Sequence, residues 1–157
     1  MNGKIPVLVI VMLALLTGGA VWYLQEYGYY REIPVSAPAA EIRLTTLAGV
    51  AETVAAEGFR GIDADSSPLR FRACFTLPVS IATLTETYVS YDKPTPLYGP
   101  RWFDCFDAGR IGEDLETGAA VAFLSERDIR PSVDRVVAVY PDGRAYAWHQ
   151  LNDTAEN

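Results

Sequence analysis

The stretch VDRVVAVYPDGRAYAWHQL, residues 133–151, decides the fold class. Two β-rich runs, Val133–Tyr140 and Arg144–Leu151, flank Pro141-Asp142-Gly143. Proline presets φ, aspartate bonds the local backbone and glycine accepts positive φ, so the segment predicts a β-hairpin. Gly143 is the residue expected in the left-handed region. Pairing Tyr140 with Arg144 sets His149 opposite Arg135, with Asp134 one step away.

Further upstream, Ala119–Leu124 predicts a buried strand. Asp107 has the chemistry of an N-cap. Residues 108–117 predict a short helix, with Ile111 and Leu115 four apart and Gly118 as its stop. Lys93–Pro100 holds three prolines and reads as an extended loop. Thr76–Tyr88 predicts a second helix, with Pro78 in its first turn and an incomplete apolar stripe of Val79, Ile81, Leu84 and Tyr88. Leu69–Phe75 alternates: Leu69, Phe71, Ala73 and Phe75 on one face, Arg70, Arg72 and Cys74 on the other. That pattern predicts a half-buried strand. Gly58, Gly61 and Asp63–Pro68 read as turn material. Strands are expected at Glu41–Leu47 and Ala51–Ala55, and the tail Asn152–Asn157 is polar and expected to fray. The sum is an α+β domain with a mostly antiparallel sheet and two short helices.

Ahead of that domain, Ile5–Leu24 is a run of 20 residues without a charge. At about 1.5 Å per residue it spans about 30 Å, the depth of a bilayer core. It predicts a transmembrane helix whose partner is the lipid bilayer. Lys4 precedes the run, so residues 1–4 are expected to form a cytoplasmic stub, with the rest exported. Trp22, Tyr23, Tyr27, Tyr29 and Tyr30 follow as an interfacial aromatic belt would. A cleaved signal peptide is the competing reading, with Gly18 and Ala20 as small residues before a cut. The division is then a helix at 5–24, an aromatic juxtamembrane segment and Pro/Ala spacer at 25–40, and an exported domain at 41–157. Residues 32–157 carry 11 basic and 19 acidic side chains, which predicts that the domain stands off an anionic lipid surface.

The chain of 157 residues carries a net charge of −7, which argues against nucleic acid as a partner. One histidine and two cysteines leave no zinc-finger or haem-attachment motif, and no cofactor is expected. Cys74 and Cys105, in an oxidising compartment, are expected to form a structural disulfide. Redox catalysis and two buried free thiols are the alternatives. His149 stands alone, with a cation opposite and no obvious partner base. Asp63 and Asp65, with Asp104 and Asp107, form an acidic group whose carboxylates suit calcium, but turn and capping roles suit them better. Arg70 and Arg72 are placed to pair with these aspartates. Asn152-Asp153-Thr154 matches a glycosylation sequon. No Gly-rich phosphate loop and no G-x-S-x-G elbow is present.

The stretches IDADSSPLRFRACF (62–75), LTETY (84–88), WFDCFDA (102–108) and DRVVAVYPDGRAYAWHQLN (134–152), together with the apolar run, carry a resemblance over almost the whole chain. The chain resembles an uncharacterised family of short single-pass membrane proteins from alphaproteobacteria. Similar chains sometimes bear the label "histidine kinase", which this sequence does not support: His149 is not on a helical hairpin and the ATP-lid glycines are missing. The resemblance implies no activity. The expectation is a periplasm-facing, membrane-anchored domain that binds another envelope protein or assists its assembly. The rival expectation is an envelope enzyme working with Asp63, Asp65, Arg70 and Arg72.

Overall fold

The structure is a computed structural model that describes residues 3–156; Met1 and Asn2 of the expected stub and Asn157 of the tail lie outside the described residues. In chain order the elements are α1 (Lys4–Tyr23), β1 (Arg31–Glu32), β2 (Arg43–Thr45), β3 (Ala51–Thr53), β4 (Glu57–Asp63), β5 (Arg72–Thr76), α2 (Ile81–Thr87), α3 (Ala108–Glu116), β6 (Val121–Arg130), β7 (Val133–Val139) and β8 (Arg144–Leu151). Helix α1 runs on through a π-helical turn, Leu24–Gly28, and none of its residues is buried. It is apolar on nearly every side, without the polar face of an amphipathic surface helix. Among the described residues it is the one helix long and apolar enough to cross a membrane.

Six strands form one sheet in the order β1-β4-β5-β8-β7-β6, every neighbouring pair antiparallel. Strands β2 and β3 form a separate hairpin. The β7–β8 turn is the one its residues specify. Tyr140 N–H donates to Arg144 O at 2.9 Å and Gly143 has φ +88°. A Cβ on Gly143 would also meet the Leu77 carbonyl oxygen at 3.0 Å, a tight contact that adds to the preference for glycine set by φ. The resulting register pairs Arg135 with His149.

One face of the sheet buries Phe71, Ala73, Phe75, Phe123, Val137 and Val139 under Ile42 and Leu44 of the β2–β3 hairpin and Leu84 of α2. The other buries Cys74, Ala122, Val136, Ala138 and Trp148 under Phe103, Phe106 and Ile111, from α3 and the loop before it. The half-buried reading of Leu69–Phe75 is therefore corrected. β5 is a central strand with both faces covered, and Arg72 and Cys74 lie in the interior. Alternation reveals which residues share a face but not whether something covers the polar one.

Three further expectations shift. Gly58 and Gly61 lie inside β4, not in a turn. Gly58 (φ +62°) makes the bulge between Glu57 and Arg60, and Gly61 leaves room for the Phe59 ring, which a Cβ would meet at 2.5 Å. The helix at 76–88 shortens to α2. Thr76 still pairs with Arg144, Leu77 N–H donates to Gly143 O, and Ser80 supplies the cap, its hydroxyl accepting from Thr83 N–H at 3.2 Å. β6 runs on to Arg130 through two irregular steps, with Asp128 at φ +49°. Asp107 caps α3 as expected, accepting from Arg110 N–H at 3.1 Å.

Candidate functional site

Cys74 and Cys105 are bonded, with Cα atoms 6.3 Å apart. The bond ties a central strand to the loop that leads into α3, on the second core face. Two cysteine Cα atoms at that separation need no backbone movement to be bridged.

Arg72, only 2% exposed, makes no ion pair among the described residues. Its guanidinium donates instead to four carbonyls: Nε to Leu97 at 2.6 Å, Nη1 to Leu69 and Phe71 at 2.7 and 2.6 Å, Nη2 to Tyr98 at 3.0 Å. Burial lowers its pKa to about 10, which leaves it charged. Its work is to clamp the proline loop to β5. Arg70 lies over two rings, its guanidinium carbon 5.6 Å from the Tyr29 centroid and 5.3 Å from that of Tyr30. Asp65 pairs with Arg31 at 3.2 Å, both well exposed. Asp63 accepts from Ala64 N–H at 2.8 Å, and burial raises its pKa. Asp104 pairs with Arg60 at 3.3 Å. The four aspartates thus serve separate local roles. Neither Arg70 nor Arg72 is ion-paired with Asp63 or Asp65.

His149 sits in the first core's margin, stacked on Phe71 with centroids 4.7 Å apart. Its Nδ1–H donates to Pro68 O at 2.7 Å and its Nε2 accepts from Arg135 Nε–H at 3.0 Å. Burial, then the Arg135 charge, lower its pKa to about 3. The imidazole is neutral with both nitrogens engaged, which suits a structural bridge rather than a proton carrier.

Two of the surface clefts gather polar side chains. The first, an open hollow of about 420 Å³, is lined by Tyr91, Lys93, Arg127, Asp134, Gln150 and Asn152 among others. Asp134 is fully buried and accepts from Tyr91 Oη–H, Asp128 N–H and Asn152 Nδ2–H at 3.1, 2.9 and 2.8 Å. Burial, then Asp134, raise the Tyr91 pKa to about 12. Gln150 is likewise committed, to Thr95 N–H, Trp148 Nε1–H and Lys93 O. These groups satisfy one another, so the hollow has a self-contained polar floor. Its signal in the sequence was Asp134, a carboxylate on the strand face that carries Val136 and Ala138. Asn152, 7% exposed and donating to both Asp128 and Asp134, is not presented as a glycosylation acceptor.

The second cleft, about 460 Å³, opens where α1 meets the domain and is lined by Gln25, Glu26, Tyr30, Ser67, Arg70 and Tyr98 among others. Trp102 Nε1–H donates to the Glu26 carbonyl at 2.7 Å and Arg101 N–H donates to Glu26 Oε1 at 2.6 Å. Tyr30 meets Trp102 edge-on at 6.3 Å. Arg31 and Glu32 then join the sheet opposite Asp63 and Ile62, and Ile33 N–H bonds to Gly61 O. The segment that follows α1 is thereby fastened to the domain. Of the residues nominated from sequence, this cleft brings together Arg70 and Arg72 but not Asp63 or Asp65. Arg101 and Trp102 were not nominated, because their partner lies about 75 residues earlier in the chain.

Residues 42–157 match the model of a family of unknown function (DUF6446). The chain belongs to this family. No curated protein and no solved structure matches it. The DUF6446 match contains the β2–β3 hairpin, every strand of the sheet except β1, the disulfide and the whole of the Asp134 hollow. The second cleft straddles its edge. Ser67, Arg70 and Tyr98 belong to the DUF6446 region, whereas Gln25, Glu26 and Tyr30 precede it.

Proposed function

We propose that this chain is a single-pass membrane protein with its N-terminus in the cytoplasm, and that its α+β domain is a non-catalytic binding or assembly module in the envelope. The observation that carries this reading is α1. It is an apolar helix of transmembrane length with no buried residue, and it leads directly into a folded domain. Lys4 at its start supports the inward N-terminus. The Cys74–Cys105 bond supports an oxidising compartment for the domain. Binding is favoured over catalysis because the lone histidine and the buried acid are both committed to internal partners. The second reading, an envelope enzyme, draws on Arg70 and Arg72 sharing one cleft.

Alkaline phosphatase and green fluorescent protein fused after Asn157 test the topology. The phosphatase fusion is expected to be active, the fluorescent fusion dark, and the full-length chain retained in carbonate-washed membranes. A soluble product starting near Val21 overturns the anchor, and a bright fluorescent fusion overturns the orientation.

A further inference from the structure

Leu24 ends the apolar run, and Glu26 lies about 3 Å farther along the helix axis. Both hydrogen bonds from the loop Leu97–Trp102 land on that residue. The loop is therefore held at the depth where the helix leaves the hydrocarbon, the layer in which Trp and Tyr are favoured because one end is apolar and the other wet. Tyr98 is 79% exposed, more than any other large apolar side chain among the described residues. It is not loose, since Arg72 grips the carbonyls of both Leu97 and Tyr98. The Tyr98 hydroxyl lies near Gly109 of α3 while most of the ring faces outward, and a held aromatic this exposed fits an environment other than bulk water at that spot. Beside it the cleft holds the Arg70 guanidinium, steadied on Tyr29 and Tyr30. The exposed Arg101 follows Pro100 at the cleft's rim, outside the residues that line it. Guanidinium groups match phosphate oxygens geometrically and electrostatically. The domain's net negative charge predicts that it stands off anionic lipid. At physiological salt, charges beyond about 8–10 Å are screened, so the local set decides here: two arginines, Arg70 and Arg72, against the Glu26 carboxylate in the same cleft.

We propose that Leu97–Trp102 is a second membrane-contact element. It packs into the headgroup layer beside α1 and, with Arg70 and Arg101, holds a phospholipid phosphodiester over the cleft. This inference rests on the anchored reading above and adds a defined posture for the domain against the bilayer.

The test uses the full-length chain in nanodiscs of phosphatidylglycerol and phosphatidylethanolamine containing a headgroup-nitroxide lipid. A fluorophore is attached at Tyr98→Cys or, as the distant control, at Pro141→Cys. Pro141 is exposed and lies in the β7–β8 turn, at the sheet end opposite Arg72, since β5 runs from Arg72 to Thr76 beside Arg144. Cys74 and Cys105 are bonded to each other and take no label. Quenching at 98 is expected to exceed that at 141 at least threefold. Arg101→Glu, at an exposed side chain, and Arg70→Glu are each expected to cut that excess by half or more. Equal quenching at 98 and 141 in a chain that resists carbonate extraction overturns the contact while leaving the anchor intact. Excess quenching unchanged by both arginine variants overturns the phosphate-holding role. A chain that carbonate releases from the bilayer overturns the anchor and this proposal with it.

Discussion

His149 shows how one buried side chain couples stability to pH. Its folded pKa, about 3, lies below the unfolded value near 6.5 because burial and Arg135 disfavour the cation. The unfolded chain therefore binds a proton that the folded chain refuses. The stabilisation is complete above about pH 6.5 and falls as pH drops toward 3. Between pH 7 and pH 5 the loss is expected to be about 2 kcal/mol. Urea unfolding at the two pH values checks this, with His149→Asn expected to show a flatter dependence. Asp63, whose pKa is raised by burial, acts in the opposite direction and is common to both proteins. Arg72 carries a different load. Replacing it with Leu would strand the carbonyls of Leu69, Phe71, Leu97 and Tyr98. An expected cost of about 3 kcal/mol follows from leaving buried acceptors unpaired. Hydrogen exchange should rise across 95–101 in that variant, and unchanged exchange there would contradict the clamp. The register of the hairpin already placed Arg135 against His149. What the sequence withheld was Arg72's role, because alternation cannot reveal that the far face of a strand is covered.

At the scale of elements, the disulfide joins β5 to the approach of α3 and closes the segment that contains α2 and the proline loop. Cys74→Ser with Cys105→Ser is expected to lower unfolding stability by about 3 kcal/mol, the order given by loop-closure entropy for a ring of this size. Chemical denaturation of the paired variant measures it. A loss below about 1 kcal/mol would mean that the loop is held mainly by Arg72. The caps were legible because their chemistry is local: Asp107 sits next to the turn it closes, as does Gly143. The shortened α2 was not. The backbone there has two options, and the pairing of Thr76 with Arg144 decides between them from nearly 70 residues away. β4 was missed for the same reason, since Gly58 and Gly61 are turn residues by composition and become strand residues only when β5 supplies a partner.

On the whole-molecule scale, the segment between α1 and the domain is tied down at two places, by the bonds from residues 101–102 to Glu26 and by the pairing of Arg31 and Glu32 with β4. Trp102→Phe keeps an aromatic ring, though a smaller one, and removes the bond to Glu26 O. It is expected to speed proteolysis within residues 29–37 several-fold in detergent, with the fold's melting temperature nearly unchanged. Cleavage at the parental rate would show that the strand pairing of Arg31 and Glu32 suffices alone. By itself the sequence determined the apolar helix, the α+β class, the hairpin with its register, and the cap of α3. Each is encoded within a few neighbouring residues, through periodicity, φ preference or a side chain that reaches its own backbone. Only the tertiary structure decided that β8 lies beside β5, that both faces of the sheet are covered, that Arg72 and Asp134 are interior charges, and that residue 26 is bonded to the loop at 101–102. Those outcomes depend on which distant surfaces meet, and a short window of sequence carries no information about the partner it will bury.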